Sequence, residues 1–122
     1  MKMILILSCL ITCALAAQGP KVTPLMSKGL TECPGKEAAM ITVEYAPGGS
    51  DVIHRHNAHA FIYVLEGKVV MQKQLTLEPG QTFYEGPEDV HLVGRNASSA
   101  ESAKFLVFFV KDKGAPILIP AK

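Results

Sequence analysis

Hydrophobic and polar positions alternate along most of this chain. Over residues 37–45, Ala39, Ile41, Val43 and Tyr45 alternate with Ala38, Met40, Thr42 and Glu44. A period of two with β-branched residues predicts a strand with one buried face. Pro47-Gly48-Gly49-Ser50 then reads as a turn. A second short strand is predicted over 51–56, and a long β-rich run over 60–72 is interrupted by Glu66-Gly67-Lys68. Further strands are predicted over 75–77, 82–84, 90–93 and 105–110, separated by Pro79-Gly80, Gly86-Pro87 and a polar stretch from 95 to 102. The hairpin around Gln72-Lys73-Gln74 lacks the Gly, Asn or Asp that two-residue turns favour. Residues 115–122 carry Pro116 and Pro120 and are expected to trail along the surface or wrap a neighbouring subunit. Short strands at close spacing, with no sustained helical period after the N-terminal segment, predict an all-β sandwich or barrel.

The first residues break this pattern. Lys2 is followed by the apolar run Met3 to Leu7 and on to Ala16, with Ser8 and Thr12 inside it and Ala14 and Ala16 at its end. A positive start, a short apolar stretch and small residues predict a cleavable signal peptide over 1–16. The stretch is shorter than the about 20 apolar residues of a membrane span. No stable membrane span is therefore expected after cleavage, and the protein is expected to be exported, to a periplasm or outside the cell. The remaining chain divides into an N-terminal extension over 17–35, a barrel over 36–114 and a C-terminal tail over 115–122.

Composition narrows the partners. The chain has 122 residues, 48% of them hydrophobic, and a formal net charge of +1. Without Lys2 the basic and acidic residues balance, and no run of Lys or Arg exists. A nucleic-acid groove needs a basic stripe, so no nucleic-acid partner is expected. Cys9 and Cys13 leave with the signal segment, and Cys33 alone cannot form an internal disulfide. Its neighbours Glu32 and Pro34 suggest an exposed loop.

The chemistry lies in four histidines, His54, His56, His59 and His91. Side chains two apart on a strand share a face, so His54 and His56 converge on one point. Two imidazoles can then reach one ion at about 2.0–2.2 Å. A third ligand must come from another strand, and His91 is the distant candidate. The alternative is a surface pair with a core histidine elsewhere. Imidazole suits iron, manganese, nickel, copper and zinc alike, so the cofactor expected is a divalent transition metal of open identity.

The stretch from Gly48 through His54-Arg55-His56 to Tyr63-Val64-Leu65-Glu66-Gly67 resembles the first motif of the cupin superfamily, of the small single-domain type that includes quercetin-dioxygenase-like members. Gly80, His91 and Asn96 are similar to its second motif. The resemblance implies a small antiparallel β-barrel of jelly-roll type, a metal held by His54, His56 and His91, and often a homodimer. The family's glutamate ligand falls on Ala60, which cannot bind metal. His59 beside it is a possible fourth ligand or nearby base if a bulge turns it inward. Gly86 stands where proline is usual, Glu88 where glycine is usual, and Arg95 takes the asparagine position with Asn96 one later. Glu85, Glu88 and Asp89 are near His91 in sequence, on faces the sequence does not fix. Asn96-Ala97-Ser98 would accept a glycan only in a eukaryotic secretory route.

Parity also gives the pocket. If His54 and His56 face inward, so do Ala60, Ile62 and Val64, an aliphatic floor suited to a mostly apolar small-molecule ligand. Phe61, Tyr63 and Leu65 then face outward. Phe83, Tyr84, Phe105, Phe108 and Phe109 are expected in the core or on a dimer surface. Three functions are compatible: a dioxygenase-like enzyme acting on a small aromatic substrate, a non-catalytic module binding a metal or small molecule, and an interaction protein with a vestigial site. Retention of His54, His56 and His91 argues against the third, and Ala60 against assuming the first.

Overall fold

The alternation over 37–45 is realised as strand β2, Lys36–Tyr45, whose buried face carries Ala39, Ile41, Val43 and Tyr45. The computed structural model describes residues 19–121; the expected signal peptide over 1–16 lies outside the described residues. Eleven strands and one short 3-10 turn make up the described fold, which is all-β as expected. In chain order these are β1 (Lys21–Gly29), β2, β3 (His54–Arg55), β4 (Ala58–Glu66), β5 (Val69–Met71), β6 (Leu75–Leu77), β7 (Thr82–Glu85), β8 (Val90–His91), β9 (Arg95–Asn96), β10 (Ala103–Asp112) and β11 (Ile119–Pro120). No helix among the described residues is long and apolar enough to cross a membrane.

A five-stranded sheet in the order β1-β2-β10-β4-β7 forms one wall, and two three-stranded sheets, β11-β3-β8 and β6-β5-β9, complete the barrel. All strand pairs are antiparallel. Strand β10 is central, with Val107 opposite Ile41 on one side and Ile62 on the other. Its inward set, Phe105, Val107 and Phe109, interlocks with that of β2 and β4. Each large apolar side chain buried there contributes about 1.5–3 kcal/mol. Tyr45 and Phe105 meet edge to face with centroids 5.3 Å apart.

Three features depart from the sequence expectation. The N-terminal extension supplies β1, whose side chains are all exposed and which pairs along β2 with a bulge between Pro24 and Met26. A strand with no buried face has no alternation to detect, and Pro24 is tolerated because β1 is at a sheet edge. The predicted strands over 51–56 and 90–93 shrink to β3 and β8, two residues each. The tail does not trail but joins its own barrel: β11 pairs with β3, Ile119 opposite Arg55 and Pro120 opposite His54.

The turns follow backbone chemistry. Gly67 has φ +69°, and a Cβ there would lie 2.5 Å from the Ser102 carbonyl oxygen and 2.9 Å from the Ala103 Cα. We expect Gly67→Ala to lower stability by about 1–3 kcal/mol, since both the positive φ and the backbone contact must be absorbed. A urea denaturation midpoint unchanged from wild type would refute this. In the β5–β6 hairpin, Lys73 and Gln74 both adopt φ 59°, the left-handed conformation that its missing Gly or Asn would ordinarily supply. Asn96 is buried, and its amide donates to the carbonyls of Ala46 (3.1 Å) and Glu101 (2.6 Å) while accepting from Ser98 N–H (2.9 Å). Its side chain pins the loop before β10, and this fold leaves no room for a glycan on it.

Candidate metal centre

Strands β3 and β8 bring the histidines together. His54 and His91 are directly opposite in register, and His56 follows two residues after His54 on the same inward face. The ring centroids form a nearly equilateral triangle with sides of 4.9, 4.7 and 4.7 Å. One nitrogen from each ring lies within 4.8 Å of the others, and all three residues are buried. This is the constellation expected from the sequence, with His91 supplied by a separate strand.

Backbone carbonyls fix the ring orientations. His54 Nδ1–H donates to the Val52 carbonyl (2.7 Å), and His56 Nδ1–H donates to the Ile117 carbonyl. Both residues therefore turn a bare Nε2 toward the centre. His91 Nδ1 lies 3.1 Å from His54 Nε2, so it carries the proton of that bond and its own Nε2 is bare as well. An ion held by the three rings would replace the bond between His54 and His91. Carbonyl acceptors behind metal-binding imidazoles are a recurrent device for setting tautomer and orientation.

Burial and the neighbouring rings favour the neutral form of His91 and His56. Desolvation, then His56 and His54, push His91 down to about 3, and desolvation lowers His56 as well. Neutral imidazole is the ligating form, so the shifts at His91 and His56 favour binding of an ion. The donor set thus fits a divalent transition metal.

His59 is not part of this cluster. It lies exposed on the outer face of β4, its Nδ1 2.7 Å from the Tyr84 hydroxyl and its ring stacked on Tyr84 at 6.0 Å. The bulge that would have turned it inward is absent from its end of the strand, because the irregularity in β4 falls near Leu65. A regular strand sends His59 outward and Ala58 and Ala60 inward.

The residue that sequence reasoning left undecided is Glu85. Glu88 and Asp89 are exposed, whereas Glu85 ends β7 with its side chain turned into the barrel. Its Oε2 is 3.0 Å from His91 Nε2 and 3.9 Å from His56 Nε2. Burial, followed by the carboxylates of Asp89 and Asp51, pushes its carboxyl up to about 8. The Glu85–His91 approach is therefore not an ion pair at neutral pH without a metal. Alternation within Thr82-Phe83-Tyr84-Glu85 puts Glu85 with Phe83, but which face is inward depends on pairing with β4. Asp51 stands behind the cluster, held by the Tyr45 hydroxyl at 3.0 Å.

The histidines open onto a cavity of about 190 Å³. Its apolar wall includes Ile41, Ile62, Met71, Val107, Phe109 and Ile117. Ile62 is inward as parity predicts, Val64 is fully buried, and Phe61, Tyr63 and Leu65 are outward. Phe105 and Phe109 line the cavity as well as the core, whereas Tyr84 and Phe108 pack outside against Phe61. Cys33 is exposed in the loop between β1 and β2.

A closed antiparallel barrel with an inward histidine triad defines a small β-barrel protein with a site that can hold a metal. The chain belongs to the cupin domain family, whose model matches residues 41–109. No curated protein matches it. Among solved structures, it resembles an uncharacterized conserved protein with a double-stranded β-helix domain from Klebsiella pneumoniae: TM-score 0.68, 14% identity, covering 88% of each chain. A Thermus thermophilus protein is similar at TM-score 0.58 and 22% identity, over 76% of this chain and 84% of that one. An oxalate oxidase in complex with the substrate analogue glycolate is similar at TM-score 0.61 and 22% identity, over 86% of this chain but 56% of that one. At these identities the likeness is one of fold.

Proposed function

We propose that this chain is an exported metal-dependent cupin that seats a small organic molecule beside a divalent transition-metal ion held by His54, His56 and His91. The observation that carries this reading is the meeting of three buried imidazoles at one wall of a largely apolar cavity. When bound, the ion supplies an electrophilic centre with positions left for water or an organic ligand. The chain's own residues orient and select that ligand. Its polar end faces the histidines, and its apolar body lies against Ile62, Val107 and Phe109, which exclude water from around it.

Cavity size sharpens the substrate class. A volume of about 190 Å³ is below the roughly 300–1,000 Å³ of sites for drug-sized ligands. A short organic acid or a single aromatic ring fits this space better than a flavonoid. The similarity in fold to an oxalate oxidase seen with glycolate supports a small acid. Oxygen-dependent oxidation of such a compound is the catalytic form of the reading. Ala60, at the family's glutamate position, favours the alternative of a binding module without turnover.

Elemental analysis of protein exported and purified without added metal tests the centre, with about one ion per chain expected. Oxygen uptake with a panel of short organic acids and phenols then separates the two forms. Consumption of oxygen supports the enzyme. Saturable binding without consumption supports the module. A wild-type chain that takes up no divalent metal even when it is offered in excess would overturn both.

A further inference from the structure

We infer that Glu85 is the carboxylate ligand of this centre, moved from β4 to the adjoining strand β7, and that Ala60 and Glu85 are two halves of one exchange. The inference rests on the metal centre proposed above and adds a ligand to it. Ala60 and Glu85 are directly opposite each other in the β4–β7 pairing, and both side chains are inward and buried. Directly opposite residues have Cβ atoms about 4.5–5.5 Å apart. A carboxylate carried on residue 85 therefore enters much the same part of the barrel as one carried on residue 60. Removing the acid from one strand and supplying it from the next keeps the charge at the site.

The local geometry points the same way. Glu85 Oε2 and His91 Nε2 are 3.0 Å apart, yet among the described residues His91 Nε2 has no hydrogen-bond partner. The two atoms are close without being aligned for a bond to each other. No hydrogen bond to the Glu85 carboxylate occurs among the described residues either, although its side chain is only 6% exposed. Buried polar groups are ordinarily satisfied, so the bare His91 Nε2 calls for a partner. A cation between it and the Glu85 carboxylate supplies one. Asp51 does not compete for this role: it approaches His54 from the Nδ1 side, at 4.0 Å, and it already accepts from Tyr45.

Three neutral imidazoles leave an ion its full double charge, while a fourth, anionic ligand halves it. A site with an oxygen donor also binds manganese(II), an oxygen-preferring ion, better than imidazoles alone would. Manganese(II) is therefore the probe of choice. The test titrates it into the wild-type chain and the Glu85→Gln, Glu85→Ala and Ala60→Glu/Glu85→Ala variants, following affinity and the electron paramagnetic resonance line shape. Circular dichroism checks that each is folded.

Glu85→Gln is nearly isosteric and should fold as the wild type does, but we expect its affinity to fall at least tenfold, as even indirect supports of a metal site cost about 10–100-fold. Glu85→Ala should fall at least as far. The exchange variant should recover affinity to within a few fold of wild type, which a merely structural Glu85 would not allow. Folded Glu85→Gln and Glu85→Ala proteins that bind manganese(II) as tightly as wild type, with an unchanged spectrum, would overturn the assignment and leave the three-histidine centre standing. A wild-type chain that binds no divalent metal would remove the centre as well. If the exchange variant does not fold, the isosteric Glu85→Gln comparison decides.

Discussion

Replacing His54 and His56 together by alanine lowers affinity for a divalent transition metal by more than about 100-fold, because loss of a supporting contact alone costs about 10–100-fold. The two residues supply two of the three imidazoles and are the pair that sequence spacing places on one face. What is left, His91 with the Glu85 carboxylate 3.0 Å from it, is half of the four-ligand set and holds an ion far more weakly. The substitutions also free the Val52 and Ile117 carbonyls, which each ring nitrogen had satisfied. Ile117 lines the cavity and Val52 is exposed, so water can reach both carbonyls and the barrel should remain folded. Metal titration alongside thermal unfolding checks both halves. Equal metal content in the variant and the wild type would mean that the ion sits elsewhere.

Phe109→Ala should be the most damaging single substitution to the fold, at about 3–5 kcal/mol, the range for truncating a buried phenylalanine. Phe109 is 1% exposed, at the centre of β10, with β2 on one side and β4 on the other. Total stabilities of domains this size are about 5–15 kcal/mol, so the loss is a large fraction of the whole. Its ring also lies 5.0 Å from that of His56 and backs the metal-facing imidazole. Metal affinity should therefore drop together with stability. Phe108→Ala is the control: Phe108 is half-buried on the outer face and should cost about 1 kcal/mol, an ordinary substitution. Urea denaturation of the two variants should separate them clearly. Similar midpoints would show that the barrel core does not depend on the inner row of β10.

The residues most easily read from the sequence were those whose environment is decided by local alternation. β2 and the inner row of β4 follow from a period of two, and so does the common face of His54 and His56. Ile62 and Val64 inward, with Phe61 and Tyr63 outward, follow from the same parity. Other features depend on register between distant strands, which no local pattern encodes. The family resemblance suggested that His91 joins the pair, but the pairing of His54 with His91 becomes visible only once β3 and β8 are adjacent. Glu85 was ambiguous for the same reason: its inward face is set by pairing with Ala60. β1 escaped detection because an edge strand with every side chain exposed carries no hydrophobic signal. Pro116 and Pro120 suggested a tail that trails along the surface or wraps a neighbouring subunit, yet Pro120 sits in a two-residue strand opposite His54, at a position where a missing N–H is tolerated.

The anchoring of residues 117–120 has a practical consequence. The Ile117 carbonyl sets the orientation of His56, and Ile119 and Pro120 close over the strand that bears His54. Loss of residues 117–120 would undo that closure, so preparations clipped within this segment should differ from intact ones in how firmly they retain an ion.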